Sequence, residues 1–214
     1  MSTWAILSDI HGRADRLRRA LADAKAQGAT NYLSLGDIGS MMALEMLEEV
    51  GASFVFGNWE ASGLRGLPQP YRSRISQWPP CFRAEGFWAA HASPVWPDGL
   101  QISDVVDYLR TNELWWPALF PSLLVSEEAR WAALIELQAA NVHLFFHGHT
   151  HIQQAWCWSP DGMLSLLDGP SFTVPDDGSL FLVGVGSVGD ARDGGGACYA
   201  LYDTAARLVT WRRA

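Results

Sequence analysis

The sequence contains few cysteines, and their spacing argues against two kinds of stabilised site. Its three cysteines are odd in number and far apart, and no two of them form a CxxC pair: Cys81, Cys157 and Cys198. A disulfide framework needs an even set, and a thiolate zinc site needs closely spaced pairs. The sequence therefore predicts buried free thiols.

Long apolar runs are also missing. No stretch reaches the roughly 18 residues that a membrane helix needs, and the first residues lack the basic-then-apolar plan of a signal peptide. These absences predict a soluble, cytoplasmic protein without membrane contact. The 214 residues are 49% hydrophobic and no Pro/Gly/Ser-rich linker divides them, so we expect one domain over residues 1–214.

Basic residues are outnumbered by acidic ones. Fifteen Lys and Arg stand against 23 Asp and Glu, which gives a formal net charge of -8. Because surfaces that bind duplex nucleic acid carry clustered positive charge, we expect no such partner. A small phosphorylated substrate remains compatible, since bound metal ions would supply local positive charge. The eleven tryptophans leave three roles open, namely packing, an aromatic wall for a substrate, and a patch that forms a homo-oligomer.

The first third of the sequence alternates between strand-like and helix-like segments. Apolar runs at 4–8, 31–35 and 52–56 predict strands, and residues 13–27 and 41–50 predict helices that end at glycines. This alternation is typical of a mainly parallel sheet, in which ligands bind beyond the carboxyl ends of the strands. Four polar residues follow these strands and should meet at one sheet edge: Asp9, His11, Asp37 and Asn58.

The middle of the chain is less regular. Residues 62–81 are rich in Pro, Arg and Gly and are expected to lack regular structure, whereas 87–90 predicts a strand that ends at His91. Residues 94–121 carry several prolines and one short predicted helix at 104–110. We interpret this segment as an insertion that folds over one edge of the site.

The last third predicts a helix, a strand and then hairpins. Residues 126–140 predict the helix, and the apolar run 142–146 predicts the strand. After residue 151, five short runs separated by Asp-Gly, Gly-Gly or Asp-Thr predict antiparallel hairpins that form a second sheet. The expected fold class is α/β, with a two-sheet β-sandwich flanked by helices.

The tetrapeptide Gly148-His149-Thr150-His151 follows the strand at 142–146. Two imidazoles on such a turn can converge on a metal ion, and imidazole is a common ligand of Zn, Mn, Fe and Ni. Taken alone, the tetrapeptide is equally compatible with two surface histidines. Five strand-like runs, however, each finish on Asp, Asn or His. Together these strand ends carry seven residues of types that bind metals, and so many at strand ends favour a metal site.

In chain order, the strand ends carry Asp9-x-His11, Gly36-Asp37, Gly57-Asn58, His91 and Gly148-His149-Thr150-His151. This ordered set resembles the calcineurin-like metallophosphoesterase family, and residues 186–193 resemble a segment of its short phosphodiesterase branch. The resemblance implies a four-layer αββα fold. It also implies a set of seven metal ligands: Asp9, His11 and His151 on one ion, Asn58, His91 and His149 on the other, and Asp37 between both.

The resemblance implies a reaction as well. Two divalent transition-metal ions, Mn foremost with Fe, Zn or Ni as alternatives, would hold an attacking hydroxide for in-line displacement at phosphorus. Asp37, Asn58 and His91 would be the catalytic residues. We expect a phosphodiesterase for small nucleotide-type or aryl diesters. A phosphomonoesterase, a dinucleoside polyphosphate hydrolase and a non-catalytic scaffold are the alternatives, and the complete ligand set favours an enzyme over the scaffold.

Trp59 departs from the fuller family motif. Many members carry a histidine there that protonates the leaving group, whereas an indole N–H donates a hydrogen bond but cannot shuttle a proton. The departure favours substrates with good leaving groups. Arg192 and Trp59 are the predicted substrate contacts, and Glu60 is expected either to orient a ligand or to be a simple surface charge. Three other arginines are alternatives for binding phosphate: Arg65, Arg72 and Arg74.

Overall fold

The computed structural model describes residues 2–214 and contains two six-stranded mixed sheets packed face to face, with helices on their outer faces. The strands are β1 (Thr3–Leu7), β2 (Asn31–Ser34), β3 (Ser53–Phe54), β4 (Cys81–Ala84), β5 (Phe87–Ala90), β6 (Leu144–His147), β7 (Gln153–Trp158), β8 (Leu164–Leu167), β9 (Ser171–Thr173), β10 (Leu180–Val185), β11 (Cys198–Asp203) and β12 (Leu208–Arg213). The helices are α1 (Ala14–Ala26), α2 (Met41–Glu49), α3 (Asn58–Gly63), α4 (Tyr71–Ile75), α5 (Val105–Thr111) and α6 (Glu127–Ala139). The predicted fold class is confirmed.

The four layers follow from the two faces of each sheet. Along β1, Ala5 and Leu7 pack with the apolar faces of α1 and α2, whereas the intervening Ile6 packs between the two sheets. This is the period-two alternation of a strand. On the far side, β6 and β10 pack against α6 through Phe145 and Leu182. Burying a side chain of this size contributes roughly 1.5 to 3 kcal/mol relative to exposing it.

The strand order corrects the expected division of the chain between the sheets. The first sheet runs β3-β2-β1-β11-β12-β9 and the second runs β4-β5-β6-β10-β7-β8. The C-terminal strands therefore do not form the second sheet by themselves, because β11, β12 and β9 extend the first sheet. Strand β10 enters the second sheet between β6, to which it is parallel, and β7, to which it is antiparallel.

The segment 62–81, expected to be irregular, contains short helices. It includes the end of α3, a 3-10 turn at Leu64–Gly66 and all of α4. Tertiary contacts explain this, since Leu64 and Ile75 are buried in the apolar cluster that also contains α1 and α2. The Arg72 guanidinium donates to the Leu67 carbonyl oxygen at 2.8 Å, which holds the turn before α4.

The segment 94–121 packs against the same cluster beside the rim of the sandwich. Val105 and Leu109 of α5 are buried there, and the Phe120 ring lies 6.0 Å from the His91 ring. Its interpretation as an insertion stays a prediction. The three cysteines are free, but only Cys198 is fully buried, so the expectation of buried thiols is wrong for Cys81 and Cys157, which are half-buried.

Of the helices in the described chain, none has both the length and the apolar character needed to cross a bilayer.

Candidate metal centre

Loops from both sheets meet at one rim of the sandwich. The first sheet supplies Asp9, His11, Asp37 and Asn58 from the ends of β1, β2 and β3, which are mutually parallel. The second sheet supplies His91, His149 and His151 from the ends of the parallel strands β5 and β6. The structure thus brings all seven predicted ligands together, and it places them between two sheets, whereas the sequence interpretation placed the first four at the edge of one.

One group of side chains consists of Asp9, His11 and His151. The two imidazole Nε2 atoms lie 3.2 Å apart, and Asp9 Oδ1 lies 3.2 Å from His151 Nε2 and 3.7 Å from His11 Nε2. All three donor atoms are within 4.8 Å of one another, as an ion between them requires. This is the trio that the family resemblance assigns to one ion.

The second group surrounds His91. Its Nε2 lies 3.0 Å from Asn58 Oδ1, 3.2 Å from His149 Nδ1 and 3.6 Å from Asp37 Oδ2. Asp37 and His91 also come within 4.8 Å of Asp9, so the two groups adjoin. Asp9 is the residue common to both groups, and Asp37 lies beside it and His91. The position of Asp37 between two ions and the assignment of each residue to one ion stay predictions.

The donor atoms fit a pair of cations. Two ligands bonded to one ion at about 2.1 Å each lie roughly 3 Å apart, which is the separation found for the facing nitrogens in both groups. Asp9 Oδ1 is buried and accepts no hydrogen bond. A buried polar atom left in this way is destabilising, and a cation coordinated by Asp9 would remove the deficit.

The backbone of the ligand loops is strained. Eight non-glycine residues in the described chain have positive φ, and five of them are predicted ligands, with φ between 48° and 63°: Asp9, His11, Asp37, His149 and His151. Each such conformation costs on the order of 1 to 3 kcal/mol and concentrates at functional sites. The rest of the fold therefore holds these side chains against their local preference.

Gly148 allows the two sheets to approach at the site. A Cβ atom built at this position would lie 1.8 Å from Ser8 Oγ and 2.6 Å from Asp9 Oδ2. Any larger residue would push the loop that carries His149 and His151 away from the end of β1. The Gly-His-Thr-His pattern thus has a packing reason for its glycine as well as a chemical reason for its histidines.

Backbone carbonyl oxygens orient two of the imidazoles. The His91 Nδ1–H donates to Leu35 O at 2.8 Å, and the His151 Nδ1–H donates to Asp190 O at 2.8 Å. Because a carbonyl oxygen only accepts, each ring must carry its proton on Nδ1, which leaves Nε2 free as a metal ligand.

Glu60 holds two ligand loops together. Its buried carboxylate accepts hydrogen bonds from the backbone N–H groups of Asp37, Ile38 and Gly57, each at 2.8 Å. The sequence interpretation expected Glu60 to orient a ligand. In the structure, the Glu60 carboxylate contacts the backbone N–H groups of the loops that carry the ligands.

Burial and neighbouring charges set the pKa values of the predicted ligands. Burial raises the pKa of Asp37 to about 7; the charge of His91 opposes this, and those of Asp9 and Glu60 add to it. For Asp9, burial is outweighed by the adjoining His151 and the charge of His91, which hold its pKa well below the usual range. Burial and the charge of His91 lower the pKa of His149 to about 4, so this imidazole is neutral at pH 7, as a ligand must be.

The ligands open onto a cavity of about 770 Å³. Trp59 is 52% exposed on its wall, with its ring 4.6 Å from that of His11. Arg192 lies on the same wall, and its guanidinium has no partner among residues 2–214. Arg13 also borders the cavity and pairs with Asp15 at 3.2 Å. Sequence reasoning missed Arg13, although its position directly after the Asp-x-His-Gly motif was a usable signal.

The three arginines predicted as alternatives to Arg192 do not border this cavity: Arg65, Arg72 and Arg74. Arg65 pairs with Asp107, Arg74 pairs with Glu48, and the Arg72 guanidinium donates to a carbonyl oxygen beside α4. Their basic character suggested phosphate binding, but the fold directs each of them to a partner elsewhere. As alternatives to Arg192 they are therefore wrong.

A model of the calcineurin-like phosphoesterase superfamily domain matches residues 3–207. The chain belongs to this superfamily. It is a metal-dependent phosphoesterase, and its family depends on two metal ions. The family expected from the strand-end motifs is confirmed.

Solved structures share the fold. A metallophosphoesterase from Sphaerobacter thermophilus is 22% identical with a TM-score of 0.72, over 99% of this chain and 88% of the other. A novel archaeal phosphodiesterase is 11% identical with a TM-score of 0.51, over 99% of both chains. Vps29 from Chaetomium thermophilum is 14% identical with a TM-score of 0.53, over 95% of this chain and 83% of the other. No curated protein sequence matches the chain.

Proposed function

We propose that this phosphoesterase is a phosphodiesterase that hydrolyses small aryl or nucleotidyl diesters. The observation that carries the proposal is the wall of the site cavity. Every imidazole on that wall belongs to a predicted metal ligand: His11, His149 and His151. No histidine remains to protonate a leaving group, so the substrate needs a leaving group that departs as a stable anion.

Seven residues would hold the two ions, in the groups described above: Asp9, His11, Asp37, Asn58, His91, His149 and His151. Their mixed nitrogen and oxygen donors suit Mn, Fe, Zn or Ni better than Mg or Ca, and we propose Mn first. When bound, the ions supply Lewis acidity toward phosphoryl oxygens and lower the pKa of the attacking water.

The chain's own side chains bind and position the diester. The unpaired guanidinium of Arg192 offers a planar pair of donors that matches the non-bridging phosphate oxygens. The exposed Trp59 ring offers a flat apolar face to an ester group. Its backbone N–H donates to Asp37 Oδ1 at 2.9 Å, so this part of the wall is hydrogen-bonded directly to a predicted ligand.

Hydrolysis of dinucleoside polyphosphates is a second candidate, and Arg13 favours it. Two guanidinium groups, those of Arg13 and Arg192, border one cavity. A diester carries a single negative charge, whereas a polyphosphate chain could engage both arginines. Membership of a phosphoesterase superfamily favours an enzyme over the scaffold alternative. A cytoplasmic location and a homo-oligomer stay predictions.

The test combines metal analysis with matched substrates. We expect two transition-metal ions per chain after loading, and a higher kcat/KM for bis(4-nitrophenyl) phosphate than for 4-nitrophenyl phosphate with Mn present. Asp37→Asn should weaken the binding of both ions and abolish activity, since the proposed arrangement places Asp37 between them, beside Asp9 and His91. The control is Asp98→Asn, an exposed residue outside the site. At most one weak ion, activity that survives chelation, or a preference for the monoester would refute the proposal.

A further inference from the structure

A second pocket shares Trp59 with the site cavity. It has a volume of about 180 Å³ and is lined mainly by apolar side chains: Ile38, Met41, Leu44, Leu67, Ile75 and Trp78. We refer to it as the apolar pocket. Neither the family membership nor the metal centre accounts for it, since none of the seven predicted ligands lines it.

The ligand loops themselves form part of its wall. Ile38 directly follows Asp37, and Trp59 directly follows Asn58, so the apolar pocket adjoins two of the predicted ligands along the chain. Trp59 lines this pocket and also the cavity that contains the metal ligands. The apolar pocket and the cavity are therefore neighbours that share one residue of their walls.

The polar side chains at the apolar pocket already serve the backbone. The Glu60 carboxylate accepts three backbone N–H groups, and Ser40 Oγ accepts the Ala43 N–H at the start of α2. A nucleobase would find few free partners for its hydrogen-bonding edge. An apolar ring fits better, because a protein cavity of about 150 Å³ lined by apolar side chains binds benzene.

The shape of the recess is held by neighbouring rings. The Trp78 ring stacks on Phe54 with 4.6 Å between centroids and 6° between planes. Phe54 ends β3, so Trp78 is anchored to the first sheet. A recess with fixed walls binds a flat ring without first having to order its own side chains.

We propose that the apolar pocket binds the aryl ring of one ester group of the substrate, an inference that rests on the proposed function for the phosphate to which the ring is attached. The substrate class is thereby narrowed from small diesters in general to those that carry an unsubstituted or weakly polar aromatic ring. Trp59 separates the ring site from the metal centre and contacts the substrate on both sides.

Two glycines provide a matched pair of variants. Gly63 borders the apolar pocket and Gly66 does not. Both are exposed, neither has positive φ, and a Cβ atom at either meets no heavy atom within 4 Å. Gly63→Leu should therefore place an isobutyl group at the pocket without straining the backbone, and Gly66→Leu makes the same chemical change away from it.

The experiment measures the Kd of diphenyl phosphate and of dimethyl phosphate for the Mn-loaded protein by calorimetry. Wild type should bind the diphenyl ester at least about tenfold more tightly, the low end of what one apolar group in a pocket contributes. Gly63→Leu should remove most of that preference and leave dimethyl phosphate unchanged, whereas Gly66→Leu should match wild type. Equal binding of the two esters by wild type, or equal preferences in the two variants, would overturn the assignment.

A spectroscopic measurement locates the ring. With ¹³C-methyl-labelled methionine, the Met41 resonance should shift on addition of p-cresol in wild type and in Gly66→Leu, but not in Gly63→Leu; an unshifted Met41 in wild type would overturn the assignment. The two proposals fail separately. Ring binding without diester hydrolysis would refute the proposed function alone, and hydrolysis without ring preference would refute the pocket assignment alone.

Discussion

Glu60→Gln tests whether the metal centre depends on a residue that touches no ion. The Glu60 carboxylate uses Oε2 to accept the N–H groups of Asp37 and Gly57, and Oε1 to accept that of Ile38. These bonds join the loop after β2 to the start of α3, and each of those segments carries a predicted ligand. Glutamine has nearly the same shape but no charge and only one accepting oxygen.

The expected loss can be worked from these three bonds. In the variant, the amide NH₂ must face at least one backbone N–H, so one bond is replaced by two opposed donors and the others lose their charge assistance. Hydrogen bonds to a charged group contribute about 1.5 to 3 kcal/mol each. We expect a decrease of about 2 to 4 kcal/mol in the free energy of unfolding. Loss of a group that orients ligands lowers metal affinity by roughly 10- to 100-fold.

The assay is a competition titration for Mn and Zn together with denaturant unfolding of the metal-free protein. It should be run at pH 8, because the charge of Glu60 helps to raise the pKa of Asp37 to about 7, and removing that charge would otherwise change the protonation of Asp37. Glu49→Gln is the control, since Glu49 is exposed and has no side-chain partner in the described chain. Equal metal affinities in the two variants would refute this account of the loops.

Three further changes have defined outcomes. Arg192→Ala should raise KM for a diester roughly tenfold with a smaller effect on kcat, whereas Arg65→Ala, which lies away from the cavity, should leave both constants unchanged; equal effects would refute the phosphate contact. Trp59→His should raise the ratio of monoester to diester kcat/KM by on the order of tenfold or more, because a positioned general acid contributes roughly 10² to 10⁴; an unchanged ratio would show that Trp59 does not set the substrate class. The Arg212 hydrogen bonds hold the pKa of Asp23 below its usual range. Because a lowered pKa stabilises the fold above the unfolded value of about 3.9 and loses that effect in acid, Asp23→Asn should cost up to about 1 kcal/mol at pH 7 and progressively less as the pH falls below about 3.9 in urea unfolding; a cost that does not change with pH would contradict the ion pair.

The fold could be predicted from sequence where local signals were strong. Apolar runs at the early strands, glycines after α1 and α2, and turn pairs between the late strands identified most elements. The short helices α3 and α4 were missed because Gly63, Gly66, Pro68 and Pro70 lie in or between them, and Gly and Pro favour irregular structure. Burial of Leu64 and Ile75, together with the Glu60 cap on the Gly57 N–H, outweighs that preference.

Strand membership could not be predicted from local signals. The runs that became β10 and β11 look alike in sequence, yet one joins the second sheet beside β6 and the other joins the first beside β1. Period and turn residues define a strand, but they do not specify its neighbour. That choice depends on which apolar faces the whole chain can bury together.

The sequence by itself determined the family and supplied the candidate metal ligands, because strand-terminal Asp, Asn and His in a fixed order can be recognised without knowing how the chain packs. Only the tertiary structure decided what surrounds them. In the folded chain, Arg65 and Arg74 pair with acidic side chains, whereas Arg192 lines the cavity without an acidic partner. It also placed the Glu60 carboxylate on two loops and opened the apolar pocket beside Trp59. Each of these features joins residues that are far apart in the chain. The ion pairs, the Glu60 hydrogen bonds and the walls of the apolar pocket therefore form only when the chain has folded.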